Sequence, residues 1–131
     1  MAPPENRDSL LARAEDDLRA AEILRREDDE MTMIICFHLQ QYVEKTIKAK
    51  LDEIGIKYPP KHNISTLLTL FPEGNLATKL FDESSALSDY ATSARYDSVV
   101  PTIEQMEDAF NQAKRIVEAV EDFVNSTKAD D

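Results

Sequence analysis

The chain has 131 residues, the size of one domain, and carries 26 Asp and Glu against 15 Lys and Arg, a formal charge of −11. Two glycines and no tryptophan, with 42% hydrophobic and 31% charged residues, exclude an all-β sandwich, which needs more turn glycine. The acid excess repels nucleic acid and anionic membrane at long range, so any nucleic-acid role is confined to a local cleft.

The elements read as helices separated by short breakers. After Pro3-Pro4, Leu11, Ala14, Leu18 and Ala21 recur at spacings of three and four, the pattern of an amphipathic first helix. The acidic run Glu27 to Glu30 interrupts it and predicts a turn, since such residues favour the positive amino end of a following helix. From Met31 to Ile54 the stripe Cys36, Leu39, Val43, Ile47, Leu51 and Ile54 predicts a long second helix. Its first residues, Met31 to Phe37, are apolar on nearly every side, which predicts central burial or an oligomer interface. Gly55 sits where a left-handed cap would end this helix, and Pro59-Pro60 forbids its resumption.

Asn63 is the expected N-cap of a short helix over Ile64 to Phe71, closed by Pro72 and Gly74. Leu76, Leu80, Ser84, Leu87, Ala91 and Ala94 then predict one helix that ends around Arg95 to Asp97. Thr102 with Gln105 has the capping-box spacing, and Pro101 with Met106 that of a hydrophobic staple. Behind them Ile103, Met106, Phe110, Ala113, Val117, Val120 and Val124 keep helical spacing over about six turns. The fold expected is all-α, an antiparallel up-and-down bundle of four long helices plus one short helix. It forms a single domain over 1–131, with 1–6 and 126–131 as flexible flanks.

The lone Cys36 permits neither an internal disulfide framework nor a Cys-rich zinc site, and a cytoplasmic home is expected. Met1 to Asp8 is Pro-rich and polar, so no signal peptide is expected, and the apolar run Met33 to Phe37 falls far short of the roughly 18 residues of a membrane span.

The candidate chemistry lies in two places. Tyr42 to His62 holds five lysines against three acids, a local net charge of +2 in an acidic chain. Here His38, Gln41, Lys45 and Lys48 share one helical face, which suits a phosphate. The competing reading is an ordinary Glu44–Lys48 pair on a solvated face. Histidine is the usual general base near neutral pH, but neither His38 nor His62 has a sequence-adjacent triad, and His62 beside Asn63 equally suits a loop-fixing role. There is no Gly-x-Ser-x-Gly elbow, phosphate-binding Gly-rich loop or His-Glu-x-x-His pair, and no metal is expected. At the second place, Arg95 brings a fork of donors suited to phosphate and Tyr96 a ring suited to stacking. An Arg95 salt bridge, with Tyr96 plugging the bundle end, is the alternative.

The run Phe37-His38-x-Gln40-Gln41-x-Val43-Glu44-Lys45-x-x-Lys48-Ala49-x-Leu51, then Lys61-His62-Asn63-Ile64 with Leu67-Leu68, then Leu87-Ser88-x-Tyr90 and Ala94-Arg95-Tyr96, resembles the HEPN domain family. That resemblance implies a helical bundle, commonly a homodimer, that binds a nucleotide such as ATP or RNA in a local cleft. It also implies action beside a small nucleotidyltransferase, often as toxin and antitoxin. Ribonucleases of the family resemble one another in an Arg followed by His after four to six residues. Arg95 supplies the first half, but no histidine follows His62, which leans against an enzyme. Ligand-binding candidates are therefore Arg95, Tyr96, Lys45, Lys48, His62, His38 and Gln41. No cofactor is expected beyond a bound nucleotide. The alternatives are a metal-independent ribonuclease toxin with Arg95 at a dimer interface, and a purely structural interaction module.

Overall fold

The computed structural model describes residues 4–60, 63–72, 75–96 and 100–129, with side chains over 9–60, 63–72, 75–90 and 100–128. The elements are α1 (Pro4–Glu27), α2 (Thr32–Glu53), α3 (Ile64–Leu68), α4 (Asn75–Lys79), α5 (Phe81–Tyr96) and α6 (Ile103–Ala129). Every described element is helical, as the composition predicts.

The local signals act where the sequence puts them. The Asp28 carboxylate accepts from the Glu30 amide in the turn between α1 and α2, and the Met31 amide donates to the Asp28 carbonyl. Gly55 takes a φ of 76°, and the Ile56 amide reaches back to the Leu51 carbonyl at 2.9 Å, the six-to-one bond of a Schellman ending. The Asn63 side chain accepts from the Thr66 amide, and Thr102 and Gln105 exchange side-chain and backbone bonds at 2.9 and 3.0 Å, a complete capping box.

Four expectations are corrected. The short helix ends at Leu68, and residues 69–71 close as hydrogen-bonded turns onto Ser65, Thr66, Leu67 and Leu68. The single stripe from Leu76 to Ala94 is divided into α4 and α5 at Leu80. The Leu80 amide still bonds the Leu76 carbonyl and its own carbonyl accepts from Ser84, so Leu76, Leu80, Ser84 and Leu87 stay buried on one side. The first helix begins at Pro4, because proline needs no amide partner in a first turn. The last helix runs through Ala129 rather than ending near Asn125: the Thr127 hydroxyl donates to the Phe123 carbonyl and Lys128 pairs with Glu53 at the end of α2.

Helix α2 is the central element and packs against α1, α3, α5 and α6. Sequential long helices run antiparallel, so α2 and α6 are parallel and touch at both ends. The buried Thr32 hydroxyl donates to the Pro101 carbonyl at one end, and Glu53 meets Lys128 at the other. Leu39, Val43, Ile47 and Leu51 of α2 meet Met106, Ile116, Val120 and Val124 of α6 in one core cluster. Each such side chain contributes about 1.5–3 kcal/mol by leaving water. Phe71 joins that core edge-on to Phe123, with ring centroids 5.7 Å apart.

Candidate functional site

The face of α2 that carries the expected phosphate-binding stripe is only partly open, because α1 lies along it. The signal for this was present in α1: Asp17 falls between Ala14 and Ala21 at spacings of three and four, so a carboxylate stands at the edge of the buried face. One Asp17 oxygen lies 2.8 Å from His38 Nδ1 and the other accepts from Lys45 Nζ at 2.6 Å. A single carboxylate on one helix thus clamps two candidates on the next.

The other two candidates belong to a polar ladder within α2. Gln41 donates to the Gln40 side chain at 2.7 Å, Gln40 donates to Glu44, and Lys48 donates to the second Glu44 oxygen at 3.2 Å. Gln40 and Glu44 are buried, and the Lys48 side chain is only 12% exposed. The Lys48 ammonium also stands 5.8 Å from the Tyr58 ring centroid, with the Tyr58 hydroxyl donating to Asp52. Burial, and then Asp52, raise the Tyr58 pKa. Sequence reasoning weighed the Glu44–Lys48 pair as the competing reading. That pair is formed, but in a largely buried setting rather than on a solvated face. Lys45 and Lys48 are therefore both committed to carboxylates, and an arriving phosphate would compete with Asp17 and Glu44 for them.

The opposite side of α2 faces α5. The buried Cys36 thiol and the Tyr90 hydroxyl are hydrogen-bonded, and burial, against that bond, pushes the thiol up to about 12. The Tyr90 hydroxyl is likewise raised to about 12, by burial first and then by Cys36. The thiol is therefore neutral and unreactive at neutral pH. This contact fixes where the end of α5 lies. Arg95, five residues past Tyr90, is displaced about 7.5 Å along the axis towards the end where Thr32 meets Pro101. His38 is displaced the other way from Cys36 and about 200° around α2, on the α1 side. The body of α2 thus separates His38 from the Arg95 backbone within one chain. The side chains of Arg95 and Tyr96, and His62 altogether, lie outside the described residues.

Among the described residues no group of three or more His, Cys, Asp or Glu side chains is placed to hold a metal ion, and no helix is long and apolar enough to cross a membrane.

Comparison with known proteins bears on this arrangement directly. Two solved structures share the fold. One is TT1696 from Thermus thermophilus, with a TM-score of 0.74 at 25% identity over 88% of this chain and 96% of that one. The other is ST0689, an archaeal HEPN homologue, with a TM-score of 0.71 at 25% identity over 90% of this chain and 97% of that one. No curated protein matches the chain. The family model described as HEPN domain matches residues 8–123, a stretch that holds the Gln40–Glu44–Lys48 ladder, Asp17 and Arg95 alike, and the chain belongs to the HEPN domain family.

Proposed function

We propose that the chain is a nucleotide- or RNA-binding helical module that acts as a homodimer beside a small nucleotidyltransferase, in a system of toxin–antitoxin type. Family membership over residues 8–123 carries this reading. Arg95 is the principal phosphate contact and Tyr96 the stacking or orienting group, because Lys45 and Lys48 are already engaged and lend only secondary positive charge. The dimer contact falls at the bundle end that Arg95 approaches, where Ile34, Val100 and Ile103 expose apolar surface beside the Thr32–Pro101 link. Calorimetric titration with ATP, GTP and a short RNA tests the ligand. Heat is expected for at least one and lost in Arg95→Ala; no heat for any of them sinks the ligand claim. Sedimentation of Ile103→Glu is expected to show monomers.

A second reading, RNA cleavage across a dimer, is favoured by one observation. The Asp17 carboxylate on His38 Nδ1 fixes the imidazole tautomer and leaves Nε2 as the basic nitrogen, the arrangement a general base needs. Because α2 separates His38 from Arg95 in one chain, this reading requires the arginine of a second copy. Growth arrest on expression, relieved equally by His38→Ala and Arg95→Ala, supports it. Intact RNA after incubation with the purified protein removes it.

A further inference from the structure

Helices α1 and α6 both pack on α2 but make little contact with each other, and the gap between them is a groove of about 400 Å³. Its floor is apolar, from Leu18 of α1, Ala113 and Val117 of α6, and the Tyr42 ring of α2. At one mouth the Arg25 guanidinium lies 4.4 Å from the Phe110 centroid and pairs with Glu107, closing the groove and using its charge. Along the walls stand Glu22, Glu118 and Glu121. Among the described residues none of these three carboxylates has a cation within ion-pair distance, and the Tyr42 hydroxyl has no hydrogen-bond partner. Among the described residues Lys114 is the one lining cation not paired with a carboxylate. It precedes Glu118 by four residues, the weaker orientation for a helical ion pair.

Length and the spacing of charge together select the occupant. The α6 lining runs from Phe110 to Glu121, about 16 Å of helix, so the groove is long and open to solvent along one side. An extended alkyl chain can lie along its apolar floor with its charged groups at the acidic walls. The carboxylates do not converge: no three of the described acidic groups could share a metal ion, so a single divalent cation cannot satisfy them. A flexible chain with several separated positive charges can. We propose that this groove binds a linear aliphatic polyamine, its methylenes on Leu18 and Val117 and its ammonium groups between Glu22 of α1 and Glu118 and Glu121 of α6. The Tyr42 face offers an ammonium a cation–π contact and its hydroxyl an acceptor. The phenol itself registers the field. Burial first, and then Glu15, Glu121, Glu22 and Glu118, hold its pKa up to about 12.

The test is calorimetric titration of the full chain with spermidine at moderate salt. One site per chain is expected. Glu118→Gln with Glu121→Gln removes two charge-assisted contacts and is expected to weaken binding at least about ten-fold. Asp29→Asn with Glu30→Gln removes the same charge from the exposed turn after α1 and is expected to leave affinity within about two-fold. Equal weakening in both variants would show attraction to the net charge alone and would overturn the site. So would the absence of heat at millimolar spermidine, or displacement by an equal concentration of magnesium. Tighter binding of trilysine than of spermidine would assign the groove to a basic protein segment and overturn the polyamine. If the α6 double variant does not fold, Glu22→Gln on the opposite wall makes the same measurement. None of these outcomes depends on Arg95.

Discussion

The two sides of α1 treat charge in opposite ways. Along its seam with α2, Asp17 takes both His38 and Lys45, and within α2 itself the ladder matches Lys48 to Glu44. Along its groove with α6, Glu22 faces Glu118 and Glu121 with no cation paired to any of them among the described residues. The seam is half-buried, so a cation left alone there would carry part of its desolvation cost, and each is met by a carboxylate. The groove is open to water, so unpaired carboxylates cost little. The net charge of −11 therefore overstates the repulsion at the seam and understates it at the groove. Charge in the first place holds helices together, and charge in the second is available to a ligand.

The comparison breaks most sharply at Glu44. Glu44→Ala leaves the Lys48 ammonium and the Gln40 amide without the carboxylate they share, and is expected to cost about 3 kcal/mol of folding stability by denaturant unfolding. Lys48→Ala is expected to cost less, about 1 kcal/mol, because Glu44 keeps Gln40. A loss below about 1 kcal/mol for Glu44→Ala would mean the ladder is as water-screened as the groove. Asp17→Ala follows at about 2 kcal/mol, since His38 and Lys45 are more exposed than Lys48 and recover part of their hydration.

What was legible in the sequence divides along the same line. The caps at Asn63 and Thr102 and the ending at Gly55 rest on residues three to five apart, and each was readable because the partners lie within one turn or so of each other. The apolar stripes of α2 and α6 were readable because periodicity alone places them. The Asp17 clamp was not, because it depends on how α1 is rotated against α2, although the position of Asp17 between two buried alanines was a usable hint. The extension of α6 to Ala129 was hidden for the same reason: Lys128 finds Glu53 across 75 positions of chain. The groove could not be read at all, since Glu22 and Glu118 share no local pattern.

Alkali probes the thiol and the two phenols set on either side of α2. Cys36 is raised from 9.0 to about 12, and Tyr42 and Tyr90 from 10.0 to about 12. The folded chain thus holds these protons more tightly than the unfolded chain. Their stabilising contribution is complete below about pH 9 and is lost as pH rises towards 12, because there the native state binds more protons than the unfolded one. Thermal melts between about pH 8 and 12 are expected to show a falling Tm. Tyr90→Phe, which keeps the ring and drops the ionising hydroxyl, is expected to make that fall shallower. An unchanged slope would place the alkaline sensitivity elsewhere.

The smallest effect is the most pointed. Because the groove carboxylates have no ion-pair partner among the described residues, Glu118→Gln removes repulsion from Glu121 and Glu22 without breaking a bond, and stability is expected to rise by up to about 0.5 kcal/mol at low salt. The gain should vanish at about 1 M salt, where the screening length falls to about 3 Å. Seam variants behave otherwise, because hydrogen bonds and burial resist screening, so Asp17→Ala should cost nearly the same at both salt concentrations. A salt-independent loss for Glu118→Gln would mean that this carboxylate has a partner after all. The groove would then be a second seam, with its charge spent on the fold.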